Sequence, residues 1–117
     1  WKGCNRIMQS LDEIRNALLA VGVPVSHYHA AKQPDRYIVW AEDGQAGAGR
    51  GDNHVTMQVL TGTIDYFTKT ENDPNFGNIQ QALNGIDLAW KLNSIQYEDD
   101  TNYIHYEWVW EVVFAVG

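Results

Sequence analysis

From Tyr103 to Val116 the chain alternates. Ile104, Tyr106, Trp108, Trp110, Val112 and Phe114 share one face of an extended backbone, and Tyr103, His105, Glu107, Val109 and Glu111 share the other. Successive strand residues point to opposite sides, so this segment demands a sheet with one covered face. Leu88 to Tyr97 reads as a neighbouring strand, and the polar Glu98 to Asn102 between them reads as the turn of a hairpin.

The covering layer is predicted to be helical. Leu11, Ile14, Leu18 and Val21 recur at steps of three and four, which places a helix over about Ser10 to Val21. Ser10 and Glu13 match a capping box at its start, and Gly22 and Pro24 end it. A second, shorter helix opens with Asp73 as cap and Pro74 in the first turn. It buries Phe76, Ile79 and Leu83 and stops at Gly85.

Between the helices, Val23 to Ala30 reads as a short extended segment and Tyr37 to Ala41 as a β-branched, aromatic strand. His54 to Thr68 is a long strand whose apolar residues change phase after Val59, which predicts a bulge or bend within Val59 to Gly62. The expected fold is α+β: a mostly antiparallel, twisted sheet of four to five strands with two helices on one face. Residues 8–117 form one domain in this reading. Residues 1–7 are either a leader ahead of Met8 or an extension of the first helix, since Ile7 keeps the helical spacing.

The stretch Glu42 to Asn53, EDGQAGAGRGDN, carries four glycines. It lacks the Lys-Ser/Thr pair and following helix of a phosphate loop, and Arg50-Gly51-Asp52 alone is weak ground for an adhesion ligand. Gly and Ala build no core of their own, so the expectation is a long mobile loop that becomes ordered against a partner.

Chemistry is sparse. His27 and His29 share a face, but a third ligand from His54 or His105 has no motif spacing, so no metal is expected. Asp65 reads as a solvent-face or interface carboxylate, Glu98 to Asp100 as a solvated turn. No catalytic residue and no cofactor are expected. The net charge of −7 argues against sequence-specific nucleic-acid binding, and no apolar run is long enough for a membrane span. A single cysteine, Cys4, fits a reducing compartment. Trp40, Trp90, Trp108 and Trp110 all fall on strands, divided between core and subunit contact.

Taken together, SLDEIRNALLAVGVPVSHYHA, YIVWAED, TGTIDYFTKTENDPNFGNIQQAL and YEDDTNYIHYEWVWEVV resemble minor tail proteins of the tail-terminator type from long-tailed phages and prophages. The resemblance rests on element order and covers the chain from Met8. It implies a structural, non-enzymatic subunit of a homo-oligomeric ring, commonly hexameric, at the head-proximal end of the tail. The ring would join tail tube protein to head-tail connector, be assembled in the bacterial cytoplasm and reside in the virion. Glu42, Asp43, Arg50 and Asp52, with Trp108 and Trp110, are the expected interface residues, and an acidic lumen would let DNA slide past. The alternative is a small α+β binding module or enzyme with a pocket lined by His, Trp and Tyr.

Overall fold

In the computed structural model, which describes residues 2–51 and 54–116, the chain runs α1 (Lys2–Leu19), β1 (Val25–His27), β2 (Arg36–Gly51), β3 (His54–Thr68), α2 (Asn75–Asn84), β4 (Ala89–Glu98) and β5 (Tyr103–Ala115). The strands form one sheet in the order β1-β2-β3-β5-β4. β1 runs parallel to β2, and the remaining pairs are antiparallel. The fold is α+β, as the alternation and the helical stripes predict.

Both helices cover the same face. Ile14 and Leu18 of α1 and Ile79 and Leu83 of α2 are fully buried against Ile38, Trp40, Ile64, Tyr66, Trp108 and Trp110. Trp108 and Trp110 are 0% and 1% exposed, so they belong to the core and offer nothing to a neighbouring subunit. An indole brings about 150–250 Å² of surface, and burying it yields several kcal/mol at about 25 cal/mol/Å². Their ring N–H groups are satisfied internally: Trp108 donates to Gln80 Oε1 and Trp110 to the Thr63 carbonyl, each at 3.2 Å.

α1 starts earlier than the capping box implies. The helix runs from Lys2, so Ser10 and Glu13 lie inside it. Neither residue breaks a helix, and their spacing of three is as compatible with an interior turn as with a start. The helix ends at Leu19, two residues before the expected Val21, and Gly22 beyond it has φ 98°, a left-handed turn that glycine enters without a Cβ penalty.

The glycine-rich stretch is a strand, not an open loop. β2 continues to Gly51, and Gly44 to Gly51 pair with Thr61 to His54 of β3. Backbone pairing with β3 replaces the core that Gly and Ala cannot make. Side-chain bonds from Thr61 to Asp43 (2.9 Å) and from Gln58 to Gln45 (2.7 Å) reinforce it. Asp52 and Asn53 lie outside the described residues.

The predicted bulge in β3 moves to its partner. β3 pairs with β5 without interruption from Met57 to Thr68. In the β2–β3 ladder β2 carries the extra residue at Glu42/Gly44 and Gln45/Gly47, opposite Val59 to Gly62, while at Gly49/Arg50 the extra residue is Thr56 of β3. The phase change in β3 has a simpler cause: Met57 and Val59 point to the helix-free face, while Leu60, Gly62, Ile64 and Tyr66 point to the core. Gly62 is needed for space. A Cβ there would lie 2.2 Å from the Ala41 carbonyl oxygen and 2.2 Å from the Trp110 ring.

Candidate functional site

Adjacent residues of β3 and β5 feed polar groups to opposite sides of the sheet, and each side carries its own cluster. On the helix side, Asp73 has a fully buried carboxylate at the start of α2. Its Oδ2 accepts from Tyr66 (2.7 Å), Thr68 (2.6 Å) and Arg36 Nε (3.2 Å), and its Oδ1 accepts from the Asn75 amide (2.9 Å). The last bond is the capping contact that the sequence predicts, with Pro74 already helical at φ −62° and ψ −20°. Burial pushes the Asp73 pKa up, but the Thr68, Asn75 and Tyr66 donors and the Arg36 charge outweigh it and hold the group below its usual value. Tyr66 is pushed up to about 12, first by burial and further by Asp73. Every acceptor site is filled, so this cluster is a structural lock between β3 and α2.

On the bare side, Asp65 of β3 stands directly opposite Glu107 of β5, two carboxylates in a cross-strand pair. His105 is two residues from Glu107, and alternation puts it on the same face. Its Nε2 lies 2.6 Å from Asp65 Oδ1, and its Nδ1 lies 3.7 Å from Glu98 Oε2. The imidazole stacks on Phe67 with ring centres 4.3 Å apart. Asn93 donates to Glu107 Oε1 at 2.7 Å. The hydrogen bond to Asp65 raises the His105 pKa, burial opposes this, and the charges of Asp65, Glu98 and Glu107 add to the rise. Asp65 and His105, each under one-fifth exposed, open into a surface recess of about 360 Å³ that Tyr28, His29, Tyr37 and Phe67 also line. The recess has the His and Tyr of the alternative sequence reading but not its Trp.

The remaining predicted site residues scatter along the β2–β3 hairpin. Glu42, at its base, is already engaged: its Oε2 lies 2.7 Å from His27 Nε2, and its Oε1 accepts from the Tyr28 hydroxyl. Burial raises its pKa, but the Tyr28 and His27 hydrogen bonds outweigh this and lower it. The imidazole of His27 also stacks on Trp40, so this contact ties β1 to the root of the hairpin. Asp43 is exposed within the first register shift and accepts from Thr61. Arg50 is exposed near the tip, with no ion-pair partner among the described residues. Asp52 lies outside the described residues. The five described residues of the predicted set, Glu42, Asp43, Arg50, Trp108 and Trp110, therefore do not converge on one site.

The structure also separates the histidines. His27 serves Glu42, while His105 joins Asp65 and Glu107. These three are the group among the described residues whose ligand atoms all lie within 4.8 Å of one another. Sequence spacing missed it because Asp65 and Glu107 are far apart in the chain and meet through β3–β5 register. The one available signal was the i, i+2 placement of His105 and Glu107 on the face opposite the tryptophans.

No family model and no curated protein matches this sequence. Among solved structures, the chain is similar to one from Akkermansia muciniphila, with a TM-score of 0.53 and 10% identity. The match covers 94% of this chain and 50% of that one, so the present chain spans half its length. At this identity the similarity speaks for the fold alone.

Proposed function

We propose that this chain is a structural subunit of a phage or prophage tail, of the tail-terminator type, which joins copies of itself into a ring between tail tube and head-tail connector. The observation that carries this reading is the far half of β2. Glu42 to Gly51 hold strand geometry with mostly exposed side chains, and β1 covers the outer edge of β2 only along Ile38 to Trp40. An ordered, glycine-rich edge is a costly thing to leave in water, and it gains most when a partner covers it. The hairpin helps to stretch the molecule to 52 Å against 25 and 24 Å in the other directions.

Two further features support it. β4 is a second open edge on the opposite side of the sheet, and its own Ile95 and Tyr97 are exposed. Unlike edges on opposite sides suit head-to-tail contacts, which close into rings when the rotation allows. Register shifts in β2 and in β4 at Leu92/Ser94 restrict which backbone groups a neighbour can meet, and this favours one partner register over indiscriminate pairing. Asp43 and Arg50 remain as charged interface residues of this surface, whereas Trp108 and Trp110 do not.

Electron microscopy of particles made without this protein tests the reading. Tails of uncontrolled length that fail to join heads are expected. Tails of normal length on full heads would refute it.

A further inference from the structure

We propose that Asp65, His105 and Glu107 bind one divalent transition-metal ion of the zinc type on the helix-free face of the sheet. This inference does not depend on the tail reading. The donor set is one imidazole nitrogen and two carboxylates, chemistry that suits zinc and its neighbours better than calcium or magnesium. Two carboxylates and a neutral imidazole also match the charge of a dication.

The first argument is electrostatic. Asp65 and Glu107 oppose each other across the β3–β5 ladder, where like charges are destabilising. Glu98 adds a third carboxylate beside His105. Cationic balance within the cluster comes from one imidazole, and the nearest amide, that of Asn93, is neutral. A dication between the carboxylates converts this repulsion into attraction.

The second argument is geometric. The three ligand atoms lie within 4.8 Å of one another. Donors around zinc stand about 2.0–2.2 Å from the ion, hence roughly 3–3.6 Å apart. Asp65 Oδ1, now 2.6 Å from His105 Nε2, needs to withdraw by less than ~1 Å, and Glu107, within 4.8 Å of both, has at most ~2 Å to close. The metal takes the place of the proton shared by His105 and Asp65, and that proton passes to solvent.

The third argument is the support around the donors. Metal-binding histidines usually direct their other ring nitrogen to a carboxylate or carbonyl, which fixes tautomer and ring angle. Here Nδ1 of His105 faces Glu98, the ring is clamped on Phe67, and Glu107 is oriented by Asn93. The recess in front of Asp65 and His105 leaves room for water as a further ligand.

Calorimetric titration of the purified full chain with ZnCl2 is the test, alongside Co2+ titration monitored by its visible absorption. The expected result is one Zn2+ per chain with a dissociation constant of about 10 μM or tighter. H105Q and E107Q should each weaken it at least ~100-fold, and E98Q should weaken it roughly tenfold through the loss of ring orientation. H27Q, at a histidine equally close to a carboxylate, should leave affinity unchanged. Should H105Q misfold by circular dichroism, E107Q still decides, because its amide oxygen keeps the Asn93 contact. Absence of stoichiometric binding, binding retained in E107Q, or equal loss in H27Q would overturn the proposal.

Discussion

Tyr66 and Asp65 are neighbours in one strand, yet they enter opposite kinds of polar cluster. Tyr66 turns inward to Asp73, where Thr68, Arg36 and the Asn75 amide complete a closed set of donors around one carboxylate. Asp65 turns outward to His105 and Glu107, where the carboxylates of Asp65, Glu98 and Glu107 gather around one imidazole. The first cluster has nothing left to bind and holds the fold together. The second retains binding capacity, and the fold does not need it. A buried charge with its partners complete contributes rigidity, whereas a partly exposed surplus of like charge is a place for a ligand.

The largest expected effect tests the closed cluster. D73A leaves the Tyr66 and Thr68 hydroxyls and the Arg36 charge without their acceptor, and should lower stability by about 3–5 kcal/mol in urea unfolding. Loss of less than about 1 kcal/mol would mean that the network is ornamental. G62A comes next. Its methyl would meet backbone and the Trp110 ring at once, neither able to swing away, so about 1–3 kcal/mol should be lost.

Acid should separate the two clusters more gently. The folded pKa of Asp73 is depressed, so the unfolded chain binds its proton first as pH falls. The stability this provides is fully present above the unfolded value of about 3.9 and is lost as pH drops through the lower folded value. Urea midpoints measured from pH 6 to pH 2 should fall across that window, and D73N should flatten the fall. The smallest effect belongs to the open cluster. E107Q removes one of two facing carboxylates, keeps the Asn93 bond, and should raise metal-free stability by a few tenths of a kcal/mol. A loss above 1 kcal/mol would show that Glu107 is structural and erase the contrast.

Much of this was legible in the residues. Ile104 to Phe114 announced a one-sided strand because alternation depends only on backbone geometry, and Asp73-Pro74 announced a helix start because capping is local. The stripe of Ile14 and Leu18 likewise reports its own buried face. The hairpin was not legible. Glu42 to Gly51 have poor strand propensity, and what holds them is the ladder with β3, a partner that composition does not name. The site was harder still, since Asp65 carries no sign that Glu107 will face it.

The chain's order of residues thus settled the buried faces of the helices and of β5 and the α+β layering, because each depends on periodicities of two or 3.6 and on caps formed within a few positions. Three-dimensional packing alone settled that Trp108 and Trp110 are core, that the glycine segment is a paired strand, and that Asp65, His105 and Glu107 meet. The physical reason is range. Register between β3 and β5 is set by the total burial of both strands, and a contact across forty positions exists only once that whole sum has been minimised.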